Sequence, residues 1–301
     1  MIVVDVLICL LLMGLVIFLN YKKKTRNLYL DLGLGLFYIV TYLVWRYQSN
    51  SYDFGTFFHI YIFLSSFVTP FIIYYYTKYN DRSQRIAEIV IASLGFFIIV
   101  SRFITWPLFG FRFADTLPLN ICNIMAVITF IGLFIKNNSL IKNLTLSLGV
   151  LGGILTISMG FNEGFPTIWF IQNIDSYLLH YSLIVYPIYI FLTNRAKIDI
   201  KLFIKSFYLV LIYYVIIYFV NIIVDENFIF TKPGYVDFLT DIYNSLPEFK
   251  ISVFNINILY IIICLSGTFL CSLLSLFFFK TIKSRLEKLS TTPQEVVDNT
   301  I

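Results

Sequence analysis

Three side chains suited to nucleophilic or acid–base chemistry stand out in a chain that is poor in such groups. The 301 residues hold two histidines and four cysteines. His59 lies in FFHIY, His180 in SYLLHYS and Cys122 in LPLNICNI. A thiol near an imidazole can become a thiolate nucleophile, and the imidazole can then serve as general acid. Cys122 opens a long apolar run, where a helix N-terminus would favour a thiolate through its dipole. Pro118 suits the first turn of that helix, because no amide donor is needed there. Asn120 and Asn123 flank the thiol and can donate to a developing oxyanion or orient a polar head group. His59, His180 and Cys122 are also zinc-type ligands. No close-spaced ligand motif accompanies them, so neither a metal nor another cofactor is expected. Cys9, Cys264 and Cys271 read as small buried apolar side chains.

The elements that must position these groups follow from composition. Hydrophobic residues make up 59% of the chain and charged residues only 13%, against roughly 25% charged in a soluble domain. Its apolar runs recur at about 20 residues, the length that crosses a bilayer as a helix. The reading is an all-α polytopic membrane protein with about nine transmembrane helices. They fall near 2–20, 28–45, 56–77, 86–106, 117–135, 143–160, 176–193, 202–224 and 257–279. Residues 1–52 would hold two N-terminal helices, 53–279 a seven-helix core and 280–301 a polar tail.

Charge supplies an orientation. Five segments, YKKKTR, KYNDRSQR, KNNSLIK, NRAKIDIKLFIK and KTIKSRLEK, carry 17 of the 22 Lys and Arg residues. The positive-inside rule places them in the cytoplasm, with the N-terminus outside and the C-terminus inside. The basic residues form no separate domain, which argues against nucleic-acid binding. No internal repeat is visible, which disfavours an inverted-repeat transporter.

On this topology His59, Cys122 and His180 share one depth, just below the outer surface. Asn162 and Glu163 end span six on that side, and Asp175 lies five residues before His180. Lys232 sits in the long outer loop 225–256, a candidate lid or a short surface helix pair. Ionisable residues at membrane depth are costly and default to a functional reading. Together they outline one polar pocket at head-group level. Gly149 and Gly153 form a GxxxG, which lets a neighbouring helix approach closely.

The order FHIYIF, LPLNIC, GVLGGILT, FPTIWFIQNIDSYLLHYS and NFIFTKP resembles the bacterial YwaF-like integral membrane proteins. These are related to the transmembrane-protein-164 acyltransferases and, more distantly, to the androgen-induced-gene hydrolases of fatty-acid esters. The likeness covers roughly residues 53–275. It implies that Cys122 is the acyl-accepting nucleophile and His180 the general base and acid. His59 matches a histidine common near the start of the bacterial core. Bacterial members often read LPLHLC where this chain has Asn120, and an amide cannot shuttle protons near neutral pH.

The expectation is therefore a lipid acyltransferase or acyl-ester hydrolase in the cell membrane, using a Cys122–His180 dyad on a phospholipid or other acyl lipid. The alternative is a non-catalytic scaffold that binds lipid or a partner in the same pocket. A small-solute transporter ranks third, because the central thirds of the spans are nearly free of charge.

Overall fold

A computed structural model describes residues 57–108, 116–159, 171–224, 227–230, 237–246, 249–251, 254–256 and 258–291, together with Leu36 and Ile39. The two N-terminal spans otherwise lie outside the described residues. The elements are α1 (Phe57–Thr77), α2 (Asp81–Leu108), α3 (Ile121–Gly132), α4 (Ser139–Leu144), α5 (Val150–Met159), α6 (Ile171–Leu192) and α7 (Ile200–Val224). A 3-10 turn at Phe228–Phe230, α8 (Asp237–Ser245), a hairpin of β1 (Phe249–Ile251) with β2 (Phe254–Ile256), and α9 (Ile258–Thr291) complete it. The hairpin is the only strand pair among the described residues. It and α8 occupy the segment for which the sequence leaves open a lid or a surface helix pair. The helix α9 continues past the apolar run into the segment that reads as a polar tail.

Helices α1, α2, α3, α4–α5, α6, α7 and α9 fall where the apolar runs three to nine lie. Among the described residues, five segments are long and apolar enough to cross a membrane: Ile60–Thr77, Asp81–Leu108, Ser139–Ile157, Ile200–Val224 and Leu259–Glu287. Their outward faces are apolar at helical spacing. Tyr208, Ile212, Val215, Phe219 and Ile223 are exposed along α7, and Leu270, Leu274 and Phe278 along α9. Such continuous exposed stripes belong against hydrocarbon rather than water. Cys271 shares this exposed face of α9, so the expectation that it is buried does not hold.

Helix α6 is the central element. Leu183, Ile184, Val185, Tyr186, Ile188, Tyr189 and Ile190 are all buried, which is the pattern of a helix covered on every side. It packs mainly against α1, α2 and α5. Between α4 and α5 the chain forms one fully buried π-helical turn, Thr145–Gly149. A π turn inserts an extra residue, so the faces of α5 are rotated relative to those of α4.

One end of the bundle is organised by Glu88, which is 0% exposed. Its Oε1 lies 2.7 Å from Lys142 Nζ of α4. Its Oε2 lies 3.0 Å from Arg85 Nη1 of α2 and 3.4 Å from Arg195 Nη1 beyond α6. Tyr186 of α6 also donates its hydroxyl to Oε1 at 3.4 Å. Arg85 further donates to the carbonyl of Leu133 just after α3, at 2.9 Å, and Arg195 pairs with Asp81.

Local sequence explains how Arg195 reaches inward. Asn194 adopts a left-handed backbone at φ 54°. The amide of Arg195 bonds the Ile190 carbonyl at 2.9 Å, and that of Asn194 bonds the Phe191 carbonyl at 3.0 Å. This is a Schellman closure with asparagine in the left-handed position, and it folds the chain back toward Glu88. Asn143 then pins the following loop by donating to the carbonyls of Lys197 and Asp199 at 3.1 and 3.2 Å.

Replacing one member of a buried charge cluster leaves the others uncompensated, at a cost of about 3–5 kcal/mol. Glu88→Gln keeps the shape and removes the charge that three cations face. It is expected to lower the thermal unfolding midpoint in detergent strongly, well beyond an exposed control such as Asp241→Asn. An unchanged midpoint would show that the cluster is not holding the helices.

Candidate active site

At the opposite end of the same helices, the segment before Cys122 is not helical. The sequence pattern begins this helix at Leu117, but α3 starts at Ile121 with Asn120 as N-cap (φ −70°, ψ 147°). The amide of Leu119 bonds the carbonyl of Leu117 at 2.8 Å, a three-residue turn around Pro118. Pro118 thus precedes the cap instead of occupying the first turn, and its fixed φ serves the turn. Cys122 becomes the second residue of the helix, closer to the N-terminal dipole than the apolar run implies.

Asn120 is occupied differently from expectation. Its side chain makes no cap bond. Its Oδ1 accepts the backbone N–H of Ile229 at 3.2 Å. Asn221 of α7 holds the neighbouring residue from both sides, donating to the Phe228 carbonyl at 2.8 Å and accepting the Phe228 amide at 3.0 Å. Ile229 itself sits at φ 56°, ψ 29°, a costly conformation for a β-branched residue. The Tyr213 hydroxyl donates to the Leu119 carbonyl at 2.7 Å. Phe228 and Ile229 are buried with Tyr214 and Ile217, against Leu117, Leu119 and Ile121. The segment after α7 is therefore strapped onto the turn that leads to the thiol.

Helix α5 touches both candidate catalytic residues, the sulfur of one and the backbone of the other. A Cβ on Gly152 would lie 3.1 Å from Cys122 Sγ, and one on Gly153 would lie 2.8 Å from the backbone oxygen of His180 and from Ile184 Cγ1. Adjacent helical residues point about 100° apart, so one glycine clears α3 and the next clears α6. Gly149 faces Thr145 Cγ2 at 3.2 Å and Met125 Cε at 3.5 Å. The close approach to α6 thus rests on Gly153, and the thiol is served by Gly152, which the GxxxG pattern does not single out.

His180 is 8% exposed. Its Nδ1 lies 2.6 Å from the carbonyl oxygen of Ser176. A carbonyl only accepts, so Nδ1 carries the hydrogen and Nε2 of the neutral ring presents a lone pair. That is the tautomer a general base needs. No hydrogen bond joins His180 to Cys122. The Cys122 side chain lies instead against α5, where a Cβ on Gly152 would come within 3.1 Å of Sγ.

A buried cation completes the layer. Arg102 of α2 is 6% exposed. It donates from Nη1 to Asn123 Oδ1 at 3.2 Å and stacks over the Trp106 ring at 4.7 Å from its centroid. The Trp106 indole N–H donates to Asp175 Oδ2 at 3.1 Å, and Asp175 is buried as well. The Arg102 charge bears electrostatically on Cys122, Asp175 and His180. Thus Asn123 and Asp175 join the site through Arg102 and Trp106, linking α2, α3 and α6.

His59 lies in the first turn of α1, and its side chain is outside the described residues. Asn162, Glu163 and Lys232 are outside them too. Arg102, Trp106 and Gly152 are the residues that sequence reasoning misses. Arg102 reads as a topology marker, although an arginine four residues before a tryptophan inside an apolar run is itself a signal.

Residues 52–268 match the model of a family described as the TMEM164 family. No curated protein and no solved structure matches the chain.

The Gly153 contact is backbone to backbone, so it cannot relax by a rotamer change. Gly153→Ala is expected to destabilise the protein by about 1–3 kcal/mol through overpacking. Gly149→Ala, facing side chains only, should cost distinctly less. Thermal unfolding of the two variants in one detergent checks the order, and equal midpoints would remove Gly153 from its role at the α5–α6 contact.

Proposed function

The chain belongs to the TMEM164 family and is a multi-pass membrane protein, and from that premise we propose that it is a lipid acyltransferase or acyl-ester hydrolase. The observation that carries the proposal is a thiol at a helix N-terminus, on a helix packed against the one that holds a histidine whose Nδ1–H is committed to Ser176. Cys122 would be the nucleophile and His180 the base and acid. We place the protein among the YwaF-like bacterial members, in the cell membrane, with nine spans, the N-terminus outside and the C-terminus cytoplasmic. Its domains would then be the N-terminal pair 1–52, the core 53–279 and the tail 280–301.

In the reaction, Nε2 of His180 takes the thiol proton as Sγ attacks the ester carbonyl carbon of an acyl lipid. The tetrahedral intermediate collapses, the carbon–oxygen bond breaks, and the leaving alkoxide takes the proton from the imidazolium. An acyl-thioester remains on Cys122. An acceptor alcohol, amine or water then attacks the thioester and gives its proton to Nε2, the carbon–sulfur bond breaks, and the leaving sulfur takes that proton back from the imidazolium. Arg102, held by Asn123 and Trp106, supplies fixed positive charge near the developing oxyanion. Catalytic contacts are often loose before substrate binds, so the handover between Cys122 and His180 would form in the lipid complex.

The second reading, a lipid- or partner-binding scaffold, is favoured by one observation: the described hydrogen bonds of the His180 ring go to Ser176, not to Cys122.

Intact-protein mass spectrometry after mixing the purified protein with phospholipid separates the two. A hydroxylamine-sensitive acyl mass is expected on the wild type and absent from Cys122→Ala. His180→Ala should slow its formation at least 100-fold, within the range for loss of general acid–base help. Acyl transfer or hydrolysis at the wild-type rate in Cys122→Ala would discard the mechanism. Equal lipid binding by all three proteins, with neither adduct nor product, would favour the scaffold.

A further inference from the structure

A π turn inside an α-helix leaves one carbonyl without an amide. In the turn Thr145–Gly149 the Val150 amide bonds the Thr145 carbonyl, five residues back. Once α5 resumes the ordinary four-residue spacing, the Leu151 amide takes the carbonyl of Ser147. The Leu146 carbonyl is the one passed over. Leu146 is 0% exposed, so water does not serve it, and a buried carbonyl with no donor is costly. The donor comes from another helix. The Ser275 hydroxyl of α9 bonds the Leu146 carbonyl at 3.1 Å. Helix α9 makes its main contact with the rest of the bundle at this turn. Other helical serines act locally: Ser65, Ser66, Ser101, Ser182 and Ser206 each donate to the carbonyl three residues earlier on their own helix.

We propose that Ser275 is a positioning residue for Cys122: it satisfies the carbonyl that the π turn orphans, and the turn decides which residue of α5 faces the sulfur. The chain before the turn is held in place. Lys142 Nζ lies 2.7 Å from Glu88 Oε1, and Thr145 Oγ1 lies 3.2 Å from Thr129 Oγ1 of α3. The extra residue in the turn must therefore be taken up downstream, where it rotates α5 by about 100°. With the turn in place, Gly152 faces Cys122 Sγ and Gly153 faces the His180 carbonyl. An unbroken α-helix from Ser139 would move every residue of α5 forward by one place. Gly152 would then meet the His180 backbone, which a glycine tolerates, but Leu151 would meet the sulfur. The glycine pair suits α6 in either register, whereas only the π register keeps the space at Sγ open. The catalytic consequence rests on Cys122 being the nucleophile; the register does not, so the test needs no lipid.

Disulfide trapping reads the register directly. A Cβ on Gly152 would lie 3.1 Å from Cys122 Sγ, close to the roughly 3 Å between a β-carbon and the partner sulfur that an S–S bond of about 2.04 Å implies. The full chain is made with Cys9, Cys264 and Cys271 replaced by serine, carrying either Gly152→Cys or Leu151→Cys. Each protein is oxidised with copper–phenanthroline in detergent, and the loss of free thiols is followed by intact mass after alkylation. With Ser275 present, Gly152→Cys should crosslink to Cys122 and Leu151→Cys should not. Ser275→Ala should shift the ratio of the two rates by about tenfold toward Leu151→Cys, the scale of one hydrogen bond to a buried carbonyl. Ser275→Thr keeps the hydroxyl and should retain the parental ratio. Ser272→Ala is the control, since Ser272 lies one turn earlier, is 0% exposed and has a hydroxyl with no partner among the described residues. Leu151→Cys crosslinking as readily as Gly152→Cys in the parent, or an unchanged ratio in Ser275→Ala, would overturn the proposal. If Ser275→Ala fails to fold, deleting Leu148 as well removes the extra residue and the orphaned carbonyl together. Folding should then return, and continued failure would also overturn the proposal. If the ratio shifts but no acyl adduct ever forms on the wild type, the positioning of the sulfur stands and the enzymatic reading falls. If the adduct forms and the ratio is unchanged, the reverse holds.

Discussion

A carboxylate with no access to water must be met by charge or protonated, and Glu88 is met by three cations. That demand orders one whole end of the molecule. The cations come from the first turns of α2, from α4 and from the turn after α6, so neutralising one side chain brings three separate segments together. The same lysines and arginines belong to the loops whose charge orients the chain under the positive-inside rule. A basic loop here is therefore more than a topological marker, because part of its charge is turned inward to complete the fold. Arg195 can do this only because Asn194 accepts the left-handed backbone that closes α6.

Helix α6 carries this order to the other end. Tyr186 touches Glu88, while His180 and Asp175 lie one to three turns away along the same buried rod. At 1.5 Å per residue, Tyr186 and His180 are about 9 Å apart along the axis. A helix packed on all sides does not slide or rotate freely, so anchoring one end fixes the azimuth of the other. The thiol end has the inverse charge pattern, a buried Arg102 with Asp175 reached through the Trp106 indole. Each end combines aromatic or hydroxyl donors with one buried acidic and one buried basic side chain, Glu88 with Lys142 and Asp175 with Arg102, and the apolar middle between them faces hydrocarbon outside and packed side chains within.

Much of this architecture is legible from apolar run lengths, because a membrane-crossing helix needs a fixed number of apolar residues. The seven runs from 56 onward coincide with helices, and alternation of the spans is the source of the expectation that Cys122, Asn123, Asp175 and His180 share one level. What periodicity cannot supply is azimuth. Depth alone leaves open how Cys122 and His180 face one another, and α5 touches the sulfur of one and the backbone of the other. The glycine pattern shows the difficulty: Gly149 and Gly153 are one turn apart and invite pairing, but the π-helical turn at Thr145–Gly149 ends between them. Gly152 and Gly153 then do the separate work of admitting α3 and α6. Glu88 and Arg102 are equally hard to read, because a charge in an apolar run declares a partner without naming it.

If relatives carry a histidine where this chain has Asn120, as the resemblance implies, the exchange would preserve one role while removing another. Its side-chain oxygen accepts the Ile229 amide, and Asn221 secures Phe228 next to it. Without such acceptors Ile229 would have no reason to remain at positive φ, since a β-branched residue pays for that conformation. A neutral imidazole also offers one ring nitrogen as acceptor. A histidine at this position in relatives is therefore compatible with holding the same amide, and asparagine retains the acceptor without a group that titrates near neutral pH. The amide before the thiol thus has a reason that does not require it to take part in proton transfer: it ties the strap after α7 to the turn around Pro118, and so fixes where α3 begins and where Cys122 stands on it.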